Sequence, residues 1–301
     1  MSAATGIRPA RRKGPAQHTV SLYDEPGPRT RRTIRLWSVI VTVLLFAAVG
    51  AGLYQFGSRG QLDADKWTPF LQWPIWQYLF VGLWGTIQAA ALVAVLGGLL
   101  GVLLALGRLS NVRLIRWACT GYIEIARTIP VLLLIYLMLF GLPQLGLNFP
   151  LIWKLVIPLT IANSAAFAEI VRAGILGLSR GQREASLSLG MSEAQTTRLI
   201  VLPQALRFAA PSLITQLVSL VKDTSLGYIV AFTELLYRGQ VLSSFNQLLI
   251  QTFVVVTLIY LVFNGALSAL AARLRTSPTK RSPAKPGAPA VAPLAGTPIL
   301  D

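Results

Sequence analysis

The chain has 301 residues, of which 54% are hydrophobic and only 13% are charged, and this composition excludes an ordinary soluble globular domain. It carries 27 lysines and arginines against 11 aspartates and glutamates, and such an excess on so apolar a chain indicates basic loops beside anionic lipid rather than a nucleic-acid groove. A single cysteine, Cys119, and a single histidine, His18, cannot form a disulfide framework, a four-ligand zinc site or a Cys/His catalytic pair within the chain.

Six apolar stretches are each long enough to cross a bilayer, whose hydrocarbon core of about 30 Å needs roughly 20 helical residues. They cover residues 36–56, 79–106, 122–142, 151–171, 208–231 and 248–271. The first is longer than the core of a signal peptide and no cleavage site follows it, so we interpret it as a retained helix. The sequence therefore predicts an all-α, polytopic membrane protein with six transmembrane helices.

The basic residues fall mainly on one side of this arrangement. The N-terminal tail, the connections after the second and fourth helices, and the C-terminal tail hold most of the 27 cations. Because the cytoplasmic loops of membrane proteins are enriched in Lys and Arg, we expect both termini to be cytoplasmic. The N-terminal cluster either anchors the first helix in this orientation or binds anionic lipid.

The chain divides into two tails and a membrane-embedded part. Residues 1–35 form a basic cytoplasmic tail and residues 273–301 a proline-rich one, and both are predicted to be disordered. Residues 36–78 comprise the N-terminal transmembrane helix and an extracytoplasmic linker. Residues 79–272 form the transmembrane domain, and its cytoplasmic loop at 172–207 is too long for a simple connector.

This loop has the pattern of two short helices. The first covers residues 181–189, and Gly190 can adopt the left-handed turn that ends it. The second begins at Ser192, where Gln195 three residues later completes a capping box. Pro203 marks where the second helix stops or bends, because proline lacks an amide proton.

The same loop resembles the signature of binding-protein-dependent ABC importer permeases, which reads Glu-Ala-Ala, three residues, Gly, nine residues, then Ile-x-Leu-Pro. The matching residues are Glu184, Ala185, Ser186, Gly190, Ile200, Leu202 and Pro203, with every spacing kept and serine in place of the second alanine. The resemblance implies that the first helix, with Gly181 and Gln182, docks on a cytoplasmic ATPase. Ala185 and Ser186 are small enough for close helix approach, and Glu184 offers a carboxylate to a basic partner. The alternative is that the glycine and the proline only punctuate a surface loop.

Further stretches resemble the polar amino-acid permeases of this family. They are Glu124, Arg127 and Pro130 in a Glu-x-x-Arg-x-x-Pro pattern, residues 168–172 and residues 222–226. Residues 22–28, 61–63 and 66–70 resemble the D-type permease of the glutamate importer. The resemblance implies the five-helix core of a type I importer with one extra N-terminal helix, in a bacterial plasma membrane.

The resemblance also implies a subunit that performs no covalent chemistry. The chain has no phosphate-binding loop that ends in Gly-Lys-Ser/Thr, so we expect it to bind no cofactor, with ATP and Mg²⁺ held by a partner ATPase. The implied partners are two cytoplasmic ABC ATPases, a second homologous but different permease, an extracytoplasmic solute-binding protein, membrane lipid and a polar amino acid, but no nucleic acid. Glutamate is the first choice of substrate, with glutamine or aspartate as alternatives.

A competing hypothesis is a secondary transporter driven by an ion gradient, with Glu169, Lys222 and Asp223 as its relay. Such a transporter would not need the long cytoplasmic loop. The sequence therefore favours the ATP-driven class.

Polar and ionisable side chains within the helices indicate a substrate path, because such groups are costly inside a bilayer. Together with one aromatic residue they are Asn163, Phe167, Glu169, Arg172, Lys222 and Asp223. They either hold the carboxylate and ammonium of an amino acid or join helices through hydrogen bonds and ion pairs. Lys222 and Asp223 are adjacent, so on a helix they face different directions unless the helix opens there. Gly97 and Gly101 have a spacing that predicts close packing against another helix.

Overall fold

The computed structural model describes residues 27–274, which form helices and turns and contain no β-strand. The predictions for the two tails therefore lie largely outside the described residues. The chain divides into two compact units, residues 1–62 and residues 63–301.

The described part of the first unit is dominated by one long helix, α1 (Pro28–Ser58). It begins within the predicted basic tail, because Pro28 stands in the first helical turn, where its missing amide proton costs nothing. Its apolar stretch is long enough to cross a membrane. The first predicted transmembrane helix, 36–56, lies inside α1.

The second unit is a bundle of helices joined by short turns. In chain order it contains two short 3₁₀ turns (Ala64–Lys66 and Thr68–Leu71), α2 (Trp73–Arg108), α3 (Arg113–Thr128), α4 (Val131–Tyr136), a π-helical turn (Leu137–Gly141), α5 (Leu142–Gln144), α6 (Leu151–Leu176), α7 (Arg180–Ser188), α8 (Glu193–Gln195), a second π-helical turn (Thr196–Val201), α9 (Leu202–Asp223), a 3₁₀ segment (Thr224–Val230), α10 (Leu235–Asn246) and α11 (Leu249–Leu274).

Within residues 27–274, four helices are long and apolar enough to cross a membrane, or five if the bent pair Arg113–Thr128 and Val131–Gln144 counts as one span. The predicted all-α membrane fold is confirmed, but the count of six continuous spans is not. Two of the predicted spans are interrupted by breaks in the α-helix.

The first break divides the predicted span at 122–142. The axes of its two parts differ in direction by 94°. Proline disfavours helical geometry in the residue before it and has no amide proton to donate. Ile129, which precedes Pro130, accordingly has an extended conformation with φ −80° and ψ 122°. The Glu-x-x-Arg-x-x-Pro pattern thus ends one helix and redirects the next.

The second break interrupts the predicted span at 208–231. Its α-helix ends at Asp223 and continues as the 3₁₀ segment Thr224–Val230. The hydroxyl groups of Thr224 and Ser225 donate to the carbonyl oxygens of Val221 and Lys222, both at 2.7 Å, and such local bonds compete with the helical pattern. The α-helix therefore ends beside the two adjacent charges, where the sequence predicted that it could open.

Helices α2 and α6 pack closely through the predicted pair of glycines. A Cβ atom placed on Gly101 would lie 2.6 Å from the Cβ atom of Phe167 and 3.0 Å from the carbonyl oxygen of Ser164. A Cβ atom on Gly97 would lie 3.6 Å from the backbone nitrogen of Ser164. The helix that packs on the two glycines is therefore α6.

Another part of the core surrounds the start of α2. Phe70, in the second 3₁₀ turn, belongs to an apolar cluster with Leu79, Leu235 and Val256, which joins α2, α10 and α11. The indole nitrogen of Trp76 donates a hydrogen bond of 2.7 Å to the carbonyl oxygen of Phe70. The 3₁₀ turns that precede α2 are therefore folded onto the bundle.

Replacing Gly101 with alanine should destabilise the protein, because the added methyl group would overlap Phe167 and the backbone of α6. Overpacking of a core costs about 1–3 kcal/mol, so we expect a lower midpoint of thermal unfolding in detergent. Gly98→Ala is the matched control, since nothing lies within 4 Å of its Cβ position. Equal midpoints for the two variants would contradict the close contact between α2 and α6.

Candidate functional site

Helix α7 follows the end of α6 after a short turn and contains most of the predicted docking residues. Gly181, Gln182, Glu184 and Ala185 are exposed. Ser186 instead faces inward, is 5% exposed, and its hydroxyl group donates to the carbonyl oxygen of Gln182 at 2.7 Å. The one departure from the family signature is therefore on the inner face of α7.

The turn after α7 has the geometry that the sequence predicts. Gly190 has a φ of +81°, in the left-handed region. Its backbone N–H donates to the carbonyl oxygen of Leu187 at 2.9 Å, and that of Met191 donates to Ser186 at 3.3 Å. This pair of bonds is a Schellman motif, which satisfies two carbonyl groups at the end of the helix. Gly190 thus fixes the direction in which the chain leaves α7.

The capping box at the start of the second helix is confirmed. The hydroxyl oxygen of Ser192 accepts from the backbone N–H of Gln195 at 3.3 Å, and the side-chain oxygen of Gln195 accepts from the backbone N–H of Ser192 at 2.8 Å. The sequence predicts that this helix stops or bends at Pro203, and the structure shows that it does not stop there. It passes through the second π-helical turn, which includes Ile200, into α9, where Leu202 and Pro203 occupy the first turn. A proline in the first turn of a helix breaks no backbone hydrogen bond.

Residues 180–201, which contain α7, α8 and the second π-helical turn, are called the α7 segment here. Two pairs of side chains join α7 to the residues that follow it. The guanidinium of Arg183 donates to both carboxylate oxygens of Glu193, with its Nη2 atom 2.8 Å from Oε2 and 2.9 Å from Oε1. The amide nitrogen of Gln204 donates to the side-chain oxygen of Gln182 at 3.3 Å. These contacts attach α7 to the starts of α8 and α9.

A cleft of about 600 Å³ lies beside α7. The residues that line it include Ile175, Leu178, Arg180, Gln182, Glu184 and Val201. The cleft combines apolar side chains with cationic and anionic groups, and Leu189, just past the end of α7, is 83% exposed. This surface is suited to contact another protein, because it joins small, apolar and charged side chains on a firmly held helix.

The residues of the predicted substrate path do not come together in one place. Asn163 is 3% exposed, donates to the carbonyl oxygen of Leu159 at 2.9 Å and accepts from the amide of Gln216 at 2.8 Å. Phe167 is buried in the contact with α2. Interhelical bonding, which was the alternative interpretation, therefore applies to Asn163 in this structure.

The charged members of the predicted path occupy two further positions. Glu169 and Arg172 belong to an ion cluster in which the carboxylate of Glu169 contacts the guanidinium groups of Arg108, Arg127 and Arg172. Exposed Lys222 and half-buried Asp223 lie at the end of α9, where the α-helix stops. The pair Glu169 and Arg172 thus lies on α6, whereas the pair Lys222 and Asp223 lies on α9 in different surroundings.

Sequence reasoning missed Arg108 and Gln216, the partners of two predicted path residues. Arg108 is the last residue of α2 and Gln216 lies within α9, so both are far along the chain from the groups that they contact. The Glu-x-x-Arg-x-x-Pro pattern did single out Arg127. It gave no indication of the residue that Arg127 would contact.

A bundle of apolar helices with a short helix between two of its members, on which Glu184 and Ala185 of the signature are exposed, has the architecture of an importer permease subunit. The model of the family described as binding-protein-dependent transport system inner membrane component matches residues 97–277. The chain belongs to this family.

Relatives of known name agree with this assignment. The chain is 42% identical over 226 residues to the glutamate transport system permease protein GluD of Corynebacterium glutamicum, covering 72% of this chain and 81% of that protein. It is 33% identical over 210 residues to the glutamate/aspartate import permease protein GltK of Escherichia coli, covering 67% of this chain and 94% of that protein. The probable glutamine ABC transporter permease protein GlnM of Bacillus subtilis is 36% identical over 187 residues, covering 62% and 87% of the two chains.

Solved structures agree as well. A chain of an amino acid ABC transporter superposes with a TM-score of 0.62 at 30% identity, covering 70% of this chain and 95% of that one. A chain of the MetNI methionine ABC transporter in an inward-facing conformation shares the fold, with a TM-score of 0.54 at 23% identity, covering 67% and 99%. The predicted resemblance to ABC importer permeases, and among them to the glutamate importer's D-type subunit, is confirmed. The ion-gradient alternative finds no support in these relatives.

Replacing Gly190 with alanine should loosen the end of α7, because a left-handed conformation costs a residue with a Cβ atom roughly 1–2 kcal/mol. We expect faster hydrogen exchange of the backbone amides of residue 190 and of Met191, which donate the two hydrogen bonds of the turn. Gly181→Ala is the control, since Gly181 has no such φ value and nothing lies within 4 Å of its Cβ position. Unchanged exchange in the Gly190 variant would show that the left-handed turn does not hold the segment.

Proposed function

We propose that this chain is one permease half of an ATP-driven importer of a polar amino acid, with glutamate as the first candidate and glutamine or aspartate as alternatives. The observation that carries the proposal is the signature spacing from Glu184, on the exposed side of α7, to Pro203, in the first turn of α9. The choice of substrate is supported by the names of the relatives, which refer to glutamate, aspartate and glutamine.

In this proposal the chain catalyses no covalent step. Two partner ABC ATPases bind ATP and Mg²⁺ and hydrolyse the nucleotide, and α7 rests on one of them. Gly181 and Ala185 allow the partner to approach closely, and Glu184 pairs with a basic group on it. Closure of the ATPases displaces α7, and α6 and α9 transmit the displacement because each is joined directly to the α7 segment.

The proposed assembly contains a second, homologous but different permease and an extracytoplasmic solute-binding protein. A single permease supplies only half of a path between two subunits. In the bacterial plasma membrane, the basic tails and the α7 segment would lie on the cytoplasmic side, as expected from the distribution of Lys and Arg.

The proposed substrate path uses Lys222 and Asp223 first. They lie where the α-helix changes to a 3₁₀ segment, and an interrupted helix exposes backbone groups that can bind a polar solute. Asn163 and its partner Gln216 lie farther along. Glu169 and Arg172 are already paired in the ion cluster, so in this proposal they frame the path and do not bind the solute. Phe167 supports the path indirectly, because it is buried in the contact with α2.

Proteoliposomes that contain the whole transporter provide the main test. With ATP available to the ATPases, the wild-type protein should take up labelled glutamate, and Glu184→Lys should lower both uptake and co-purification of the ATPase. The expected loss is at least about tenfold, because a like-charge contact at an interface costs several kcal/mol.

Asp65→Lys is the matched charge reversal, since Asp65 is exposed and lies in the first 3₁₀ turn, away from α7. The ATPase should co-purify with this variant as it does with the wild type. Uptake driven by an ion gradient without any ATPase would exclude the proposed mechanism.

The bond between Asn163 and Gln216 allows a sharper test of the path. Asn163→Ala should lower uptake while the ATPase still co-purifies, because it removes the acceptor for Gln216. Replacing both residues with leucine removes the two polar partners together, which is nearly neutral for folding. We expect uptake by the double variant to remain impaired. Wild-type uptake by an assembled double variant would show that the pair only joins α6 to α9.

A further inference from the structure

Five charged side chains form a cluster at the junction of α2, α3 and α6. They are Arg108 of α2, Glu124 and Arg127 of α3, and Glu169 and Arg172 of α6. One carboxylate oxygen of Glu169 contacts Arg108 and, at 3.4 Å, Arg127, while the other contacts Arg172 at 3.5 Å. Arg108 also contacts Glu124 at 3.2 Å. Glu169 and Arg108 therefore each contact side chains of both of the other two helices.

The members of the cluster differ in their contact with solvent. The side chains of Arg108 and Glu169 are 18% and 26% exposed, whereas those of Glu124 and Arg127 are 54% and 53% exposed. Exposed ion pairs contribute little, because water screens them. Removing one partner of a more buried pair leaves the other charge uncompensated. The contact between Arg108 and Glu169 therefore dominates the cluster.

Toward the end of α6, Glu169 is linked to the α7 segment through the backbone of the helix. It lies on α6 about two turns before Leu176, which corresponds to about 10 Å at 1.5 Å per residue. Only a short turn separates Leu176 from Arg180, where α7 begins. A displacement of α7 therefore reaches Glu169 through an uninterrupted stretch of helix.

Glu169 also holds a helix that is separated from the next one by a hinge. Helix α3 ends at Thr128, and the extended Ile129 and Pro130 turn the chain by 94° into α4. Besides the ion cluster, Ile123 and Ala126 of α3 share an apolar cluster with α6. Because the break interrupts the backbone hydrogen bonds between α3 and α4, these two helices can change their relative angle, although α4 also packs on α6 through Ile135.

We propose that Glu169 is a positioning residue for coupling, which locks α3 and the end of α2 to α6 so that the three move as one unit when α7 is displaced. This inference rests on the proposed function and adds to it a residue outside the α7 segment. The cluster transmits the displacement to the hinge at Pro130, where α4 changes its angle to α3.

The ratio of substrate transported to ATP hydrolysed tests this role. In proteoliposomes that contain the whole transporter, both rates are measured on the same vesicles for Glu169→Gln. We expect the ratio to fall at least about fivefold, at the low end of typical coupling between sites, while the ATPase still co-purifies. Glu169→Asp, which keeps the charge, should restore part of the ratio.

Arg113→Gln is the control for the loss of a charge, because Arg113 is an exposed arginine of α3 that lies outside the cluster. Its ratio should equal that of the wild type. An unchanged ratio in an assembled Glu169→Gln transporter would overturn the proposal. If that variant does not assemble, Arg108→Gln removes the same contact from the side of α2, and an assembled Arg108→Gln transporter with an unchanged ratio would overturn it too.

The single cysteine of the chain offers an independent measurement. Cys119 lies on α3, and its sulfur atom is close to Gly107 of α2. If α2 and α3 move as one unit, ATP should not change the alkylation rate of Cys119 in the wild type, as followed by mass spectrometry of its peptide. In Arg108→Gln, which removes the contacts of α2 with Glu124 and with Glu169 together, ATP should increase that rate because α3 separates from α2. An ATP-independent rate in the variant would contradict the locking role.

The two proposals fail in different ways. A wild-type transporter without ATP-driven uptake would exclude the proposed function. A wild-type transporter with such uptake, together with an equally well coupled Glu169→Gln variant, would exclude only the role of Glu169.

Discussion

The close contact between α2 and α6 is the constraint on which the rest of the bundle depends. Lipid tails are as apolar as the helices, so helices in a membrane associate through close packing rather than through exclusion of water. Gly97 and Gly101 permit that packing, because a side chain at Gly101 would overlap Phe167. Helix α6 also remains continuous through Pro158, so the position of its far end follows from the contact with α2. The place of α7 is determined in turn by the end of α6.

Helix α7 has only nine residues, and an isolated helix of that length is unstable in water. Part of its stability comes from its own end, through the Schellman motif at Gly190 and the bond from Ser186 to Gln182, and part from packing on the second π-helical turn. Gly181 and Ala185, both small, lie among the exposed residues of α7. A partner that presses on such a helix displaces it as a body, because bending it would break the contacts that hold it.

How much the sequence could predict depends on the distance along the chain between the interacting groups. The turn at Gly190 and the capping box at Ser192 depend on bonds between residues at most five positions apart, so their pattern was readable and correct. A stop at Pro203, one of the two predicted alternatives there, does not occur, because Pro203 lies in the first turn of α9, which follows the π-helical turn directly. Gln216 pairs with Asn163 and Arg108 with Glu169 only after distant helices have packed, and no local pattern names such partners. The glycine pair predicted close packing, but only the fold identifies α6.

The polar groups of the bundle fall into two kinds, and the difference bears on where a solute can bind. Asn163 and Glu169 already have hydrogen-bond or ionic partners within the chain, so a solute at these residues would have to replace or share an existing contact. Lys222 and Asp223 instead lie where the α-helix ends and a 3₁₀ segment begins. Such a change of helix type often marks a position where the backbone can bend. The hinge at Pro130 is the comparable interruption beside α3. Binding and movement are thus expected at the interruptions of the helices, whereas the paired groups between them preserve the shape of the bundle.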